Sequence, residues 1–154
     1  MDLGIAGRTA IVCASSKGLG LACATELARN GVDVVINGRD ECRLQQAADA
    51  IAAATGRDVG RVVADVATRE GRSALLAACP QPDILVNNNA GPPFRDFRDL
   101  DEDALEAGLR QNMIAGLRLS QMVAKRIIKQ SEGQPDIVQA GSIVNVSTLA
   151  ASRP

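Results

Sequence analysis

Two rhythms of apolar residues alternate along the chain. Short, β-branched-rich runs lie at Arg8–Ala14, Val32–Asn37, Val59–Ala64, Ile84-Leu85-Val86 and Ser142–Val146, each with the length of a buried strand. Between them, apolar residues recur three and four apart, the spacing of a helix with one buried face. One such stretch follows Gly20 and runs to about Asn30, with Gly31 as its stop. A second, Asp40–Thr55, carries Leu44, Ala47, Ala48 and Ile51 on one face and stops at Gly56. A third, Ala67–Cys79, precedes Pro80 and Pro82, and a long tract runs from about Leu100 to Lys129 with a candidate break near Gly116. No internal repeat interrupts this order.

Strands separated by single helices on short connections imply right-handed crossovers and a parallel sheet covered by helices on both faces. The expected strand order is 3-2-1-4-5. That order puts a ligand crevice between strands 1 and 4, with the turns after them facing each other.

Composition narrows the classes. At 154 residues the chain suits one domain, and 17 basic against 18 acidic residues argue against a nucleic-acid or membrane-surface role. Two Phe and no Tyr or Trp leave no platform for base stacking. Cys13, Cys23, Cys42 and Cys79 show no CxxC spacing and there is no His, which argues against a zinc site. Cys13 falls in a buried run and Cys23 within a helix, as small core residues of a reducing compartment do. The N-terminus lacks a basic stretch before an apolar one, and no run approaches membrane-spanning length, so a cytoplasmic protein is expected.

The chemistry-bearing segment is the first strand–turn–helix unit, closed by a second strand ending in Gly38-Arg39. Its turn reads Ala14-Ser15-Ser16-Lys17-Gly18-Leu19-Gly20. Glycine lets backbone approach a phosphate closely, and the following helix aims unpaired N–H groups and its positive dipole end at the anion. The pattern predicts a dinucleotide site of the Rossmann type. A flavodoxin-like mononucleotide site fits the Gly38-Arg39 ending and the position of Asp65 less well.

The same residues resemble the short-chain dehydrogenase/reductase family, and the resemblance runs in order along the whole chain. Cys13–Gly20 is similar to its Gly-x-x-x-Gly-x-Gly turn, with Ala14 in place of the first glycine, so that a methyl group stands where the backbone turns tightest. Asp65-Val66 falls where the family contacts adenine. Asp83–Asn88 is similar to its fourth strand and Asn-Asn-Ala-Gly signature. Asn112 falls where the family has a structural and catalytic Asn, and Ile143–Thr148 is similar to the strand delivering its catalytic Ser. The loop Asn87-Asn88-Asn89-Ala90-Gly91 carries one Asn more than expected. Without a gap, Asn89 and Ala90 take the Ala and Gly places; with an insertion, Asn88–Gly91 form the signature. The ungapped alignment is preferred, because some 3-oxoacyl-[acyl-carrier-protein] reductases have a similar Asn-Asn-Asn-x-Gly-Pro-Pro loop.

Cofactor choice follows from charge. An acidic residue ending strand 2 would bond the ribose 2′-OH of NAD and repel a 2′-phosphate. Here Gly38 stands in that place, Arg39 follows, and Lys17 adds a second positive charge, which together favour NADP(H). Asp40, one position later, reads as a helix N-cap. The expected cofactor set is Ala14–Lys17 and Gly18–Gly20 toward the pyrophosphate and adenosine, Arg39 at the 2′-phosphate, Asp65 and Val66 at adenine, and Asn87 at the adenine-side ribose, with Asn88–Gly91 completing the loop. Plainer readings stand beside these: Arg39 and Lys17 as solvated surface charges, Asp65 as a cap of the following helix, Asn112 as an exposed helix residue, and Asn87–Asn89 as turn chemistry.

The resemblance implies an oxidoreductase moving hydride between the nicotinamide and a small-molecule carbonyl or alcohol, of 3-oxoacyl reductase type, and a homo-oligomer in its full-length form. In the family a Tyr with a Lys four residues on transfers the proton, a Ser polarises the substrate oxygen and the Asn supports a relay water. This chain has no Tyr, and Thr148 takes the Ser place, with Ser147 one position earlier as alternative. Of the catalytic set only Asn112 and Thr148 are expected. Proton transfer by a placed group contributes ~10²–10⁴-fold, so these residues alone should not turn over. The chain is accordingly expected to be a single, incomplete NADP-binding domain, truncated after strand 5. The alternative is a non-catalytic nucleotide-binding or assembly module on the same fold. On either view Leu105, Leu109, Met113, Leu117 and Met122 are expected to leave apolar surface uncovered.

Overall fold

A computed structural model describes residues 2–89, 96–132 and 141–146. Five parallel strands form one sheet in the expected order 3-2-1-4-5. They are β1 (Thr9–Val12), β2 (Asp33–Gly38), β3 (Gly60–Val63), β4 (Ile84–Asn87) and β5 (Ser142–Asn145). The helices are α1 (Gly18–Arg29), α2 (Glu41–Thr55), α3 (Arg69–Ala78), α4 (Glu102–Leu109) and α5 (Ala115–Ser131), with a short 3₁₀ turn at Phe97–Asp99.

The period-two alternation of strand side chains builds two cores. Ala10, Val12, Val34, Ile36, Ile84 and Val86 face α1 and α2, where they meet Ala24, Ala28, Leu44, Ala47, Ala48 and Ile51. Ile11, Cys13 and Leu85 face the other way, onto Leu75 and Leu76 of α3 and Leu119, Val123 and Ile127 of α5. Burial of each large aliphatic side chain contributes about 1.5–3 kcal/mol, so the two sandwiched layers hold the sheet.

Local chemistry sets the helix limits. Asp40 caps α2 as expected, accepting from Arg43 N–H at 3.0 Å, and Gly56 ends it with φ +71°. At α3 the plainer reading of Asp65 as the helix cap is corrected. Thr68 is the cap, accepting from Gly71 N–H, while Asp65 Oδ1 folds back on Ala67 N–H and shapes the turn before it. The helix consequently starts at Arg69 rather than Ala67.

The long tract breaks close to Gly116, as expected, although Gly116 itself lies in the first turn of α5. The interruption is a π-helical segment, Arg110–Ile114, in which Ala115 N–H reaches back five residues to Arg110 O. Leu105, Leu109, Met113 and Leu117 are exposed as expected. Met122 is not: it packs against the core beside Leu119 and Val123.

Candidate functional site

All expected site residues within the described segments lie at or beyond the C-terminal ends of the strands, or on the helical tract over β4 and β5. The turn after β1 is tightly wound. Ala14 has φ +46°, the one left-handed non-glycine residue among those described, and Gly18 has φ +58°. A Cβ on Gly20 would lie 2.4 Å from Ala14 O and 2.8 Å from Asn88 Nδ2, so that position admits only glycine. At Gly18 a Cβ would meet nothing within 4 Å, which leaves open space over the start of α1.

That start is left without a side-chain cap. Lys17 occupies the N-cap position with no capping bond, and no acidic residue stands in the first turn. By contrast α2, α3 and α4 are capped by Asp40, Thr68 and Asp101. The first N–H groups of a helix have no intrahelical partner, so those of α1 are presented to whatever occupies the space beside Gly18.

Ser15 is turned inward. It is fully buried, donates to Val12 O at 2.7 Å and accepts from Asn37 N–H at 2.9 Å. Its hydroxyl is consumed within the fold, and what Ser15 gives the site is the shape of the turn. Ser16 lies against Gly38, where an added Cβ would sit 3.4 Å from it. Arg39 and Lys17 are exposed on this rim, and neither takes part in an ion pair among the described residues.

The three consecutive asparagines continue the alternation of β4 past its end. Asn87 and Asn89 turn to the α4–α5 side, and Asn88 turns to the glycine turn. Asn87 Nδ2 donates to Ser120 Oγ at 2.8 Å and to Asn145 Oδ1 at 2.9 Å, its partner across the β4–β5 pair. Asn88 Nδ2 donates to Ala14 O at 3.2 Å, joining the turns after β1 and β4 where the strand order reverses. Asn89 Nδ2 donates to Gln111 O within the π-helical segment. The run is therefore a set of three anchors, and the turn-chemistry reading of it is corrected.

A cleft of about 970 Å³ opens between these elements. Its walls include Leu19, Val66, the three asparagines, Asn112 and Asn145. Asn112 is exposed and its amide bonds back to Gly108 O at 3.0 Å. The structure thus brings Leu19, Val66, Asn87, Asn88, Asn89 and Asn112 to one cleft, while Lys17, Arg39 and Asp65 lie outside its lining. Ala90, Gly91, Ser147 and Thr148 lie outside the described residues. Cys13 also lines the cleft, and burial pushes its thiol pKa up to about 12, so it remains an uncharged wall.

The sequence reading passed over Asn37, Ser120 and Asn145 as functional positions. Asn145 is recoverable from the β4–β5 register once the strand order is known. Asn37 and Ser120 show themselves only through their partners in space.

A profile of the short chain dehydrogenase family matches residues 8–154. L-xylulose reductase of Mesocricetus auratus is 33% identical over 153 residues, covering 99% of this chain and 58% of that protein. L-rhamnose 1-dehydrogenase (NAD(P)(+)) of Azotobacter vinelandii is 34% identical over 152 residues, covering 94% and 56%. The crystal structure of L-sorbose reductase from Gluconobacter frateurii, complexed with NADPH and L-sorbose, superposes with a TM-score of 0.86 at 28% identity, covering 98% of this chain and 56% of that one. The chain spans little more than half the length of the proteins it matches.

Proposed function

The chain belongs to the short chain dehydrogenase family, and we propose that its residues form the NADP(H) site of an oxidoreductase acting on a small-molecule carbonyl or alcohol. The observation that carries this reading is the uncapped start of α1 beside the open space at Gly18, which suits a diphosphate held by backbone N–H groups. Arg39 and Lys17, with no ion pair among the described residues, suit a 2′-phosphate on the adjoining rim, and the absence of a carboxylate at Gly38 removes the charge that would repel it. Val66 and Asp65 would border adenine and Asn87 the adenine-side ribose, with Asn88–Gly91 completing the loop.

When bound, the nicotinamide supplies or accepts hydride. The chain's own part is to hold it over the cleft and to place Asn112 and the hydroxyl of Thr148, or of Ser147, near the substrate oxygen. No Tyr occurs in the 154 residues, so the proton-transferring group of the family is not among them, and we expect binding without turnover from these residues alone. The xylulose- and sorbose-reducing relatives favour a polyhydroxy ketone as substrate. The Asn-Asn-Asn-Ala-Gly-Pro-Pro loop resembles that of some 3-oxoacyl reductases, a likeness that does not bear on substrate choice.

The exposed stripe of Leu105, Leu109, Met113 and Leu117 supports self-association as part of the same reading. Calorimetric titration of the protein with NADPH and NADH tests the cofactor assignment. Tighter binding of NADPH is expected, and failure of both to bind overturns it.

A further inference from the structure

π-helical segments are rare, and they concentrate at functional sites because the inserted residue re-aims its neighbours. Here the segment Arg110–Ile114 contains Asn112, and no proline lies between Pro93 and Pro135 to account for the break. What reaches it from outside is a side chain of the loop after β4: Asn89 donates through Nδ2 to Gln111 O. That carbonyl immediately follows Arg110 O, the acceptor of the five-residue backbone step from Ala115. Gln111 is also the residue directly before Asn112.

Asn89 lines the same cleft as Asn87, Asn88, Leu19 and Val66. One residue therefore touches both the cleft that would take the cofactor and the irregular turn that sets where Asn112 sits. Alanine, which the family signature has at this place in the ungapped alignment, has no donor with which to do this.

We infer that Asn89 is a positioning residue that couples occupancy of the cleft to the placement of Asn112, by holding the carbonyl of Gln111 in the π-helical segment. The inference rests on the NADP(H) reading for the identity of the occupant, but not for the hold on Gln111. A ligand in the cleft that contacts Asn89 fixes its side chain, and Asn89 then fixes the backbone one residue before Asn112. Asn112's own amide is bonded to Gly108 O, so it carries no share of that link.

The test is amide hydrogen exchange of residues 110–116 in the protein and in Asn89→Ala, each with and without NADPH, beside the NADPH affinity of both. In the free variant the segment should exchange about tenfold faster, the effect of losing one hydrogen bond. At NADPH concentrations that saturate each protein, NADPH should slow exchange there in the parent protein and fail to do so in the variant. A variant in which NADPH still protects the segment overturns the coupling, because a merely structural role leaves the ligand response intact. If NADPH binds neither protein, the cofactor reading fails, and exchange in the ligand-free pair alone decides: unchanged rates overturn the hold on Gln111 and faster ones support it. Should Asn89→Ala not fold, Asn89→Asp keeps the shape, removes the donor and must give the same pattern.

Discussion

Ser15 and Asn37 clasp each other: Ser15 N–H donates to Asn37 O at 2.8 Å, and Asn37 N–H returns to Ser15 Oγ at 2.9 Å. The Asn37 amide then donates to Val62 O and Ala64 O, both at 3.0 Å. The turn after β1 is thereby fixed to the ends of β2 and β3, the edge along which the adenosine half of a dinucleotide would lie. Ser15→Ala leaves a buried N–H without its partner and should cost about 1–3 kcal/mol in urea unfolding. It should also weaken NADPH binding. A cost near zero would show that Asn37 finds another acceptor and that the clasp does not set the turn.

Ala14 and Gly20 test the same turn from opposite sides. Ala14 sits at φ +46°, where an L-residue pays about 1–2 kcal/mol. Glycine removes that strain but loses about 0.5–1 kcal/mol to chain entropy. Ala14→Gly should therefore stabilise the protein by up to about 1 kcal/mol, read as a raised Tm. Gly20→Ala drives a methyl group to 2.4 Å from Ala14 O and should cost about 3 kcal/mol or more. Normal stability in Gly20→Ala would refute the packing of α1 against this turn.

The strands and the sheet order were legible because buried parallel strands are short, continuously apolar and separated by striped helices. Leu44, Ala47, Ala48 and Ile51 fell on the buried face for the same reason. The neighbourhood of the break in the long helix was legible from Gly116, but its π-helical form was not. Its signal is a backbone step of five residues held from outside by Asn89, and nothing in the composition of Arg110–Ile114 encodes that. Met122 was expected among the uncovered residues, but it stands three residues after Leu119 and beside Val123, and it packs against their buried cluster. Asn87–Asn89 reads as a turn in sequence because asparagine favours turns. Only the position of Ser120, Ala14 and Gln111 in space shows three alternating anchors.

Arg39→Asp exchanges the charge expected to hold a 2′-phosphate for one that repels it and bonds a ribose hydroxyl. Arg39 is exposed with no ion pair among the described residues, so the change should leave Tm nearly unaltered. A charge-assisted bond contributes about 1.5–3 kcal/mol, so NADPH affinity should drop roughly 10–100-fold while NADH affinity holds or rises. Equal losses for both cofactors in paired titrations would sink the phosphate assignment.

Cys13 makes stability depend on alkaline pH. Its thiol lies against the cleft wall, and burial raises its pKa from 9.0 to about 12, against a smaller lowering by a hydrogen bond from Asn88. Between these values the unfolded chain releases a proton that the folded chain retains, so the folded state binds more protons and stability falls as pH rises. The contribution is fully present below pH 9.0 and is lost progressively toward pH 12, on the order of 4 kcal/mol across that window. Cys79, also raised chiefly by burial, adds to the same slope. Urea midpoints at pH 7 and pH 10.5 should therefore differ less in Cys13→Ala than in the parent, even though the alanine variant is weaker at pH 7 through lost packing. Comparison between the two proteins cancels the lysines that titrate in the same range. Parallel pH profiles would mean that the Cys13 thiol reaches solvent in the folded state, and at neutral pH a thiol reagent would then label it alongside exposed Cys42.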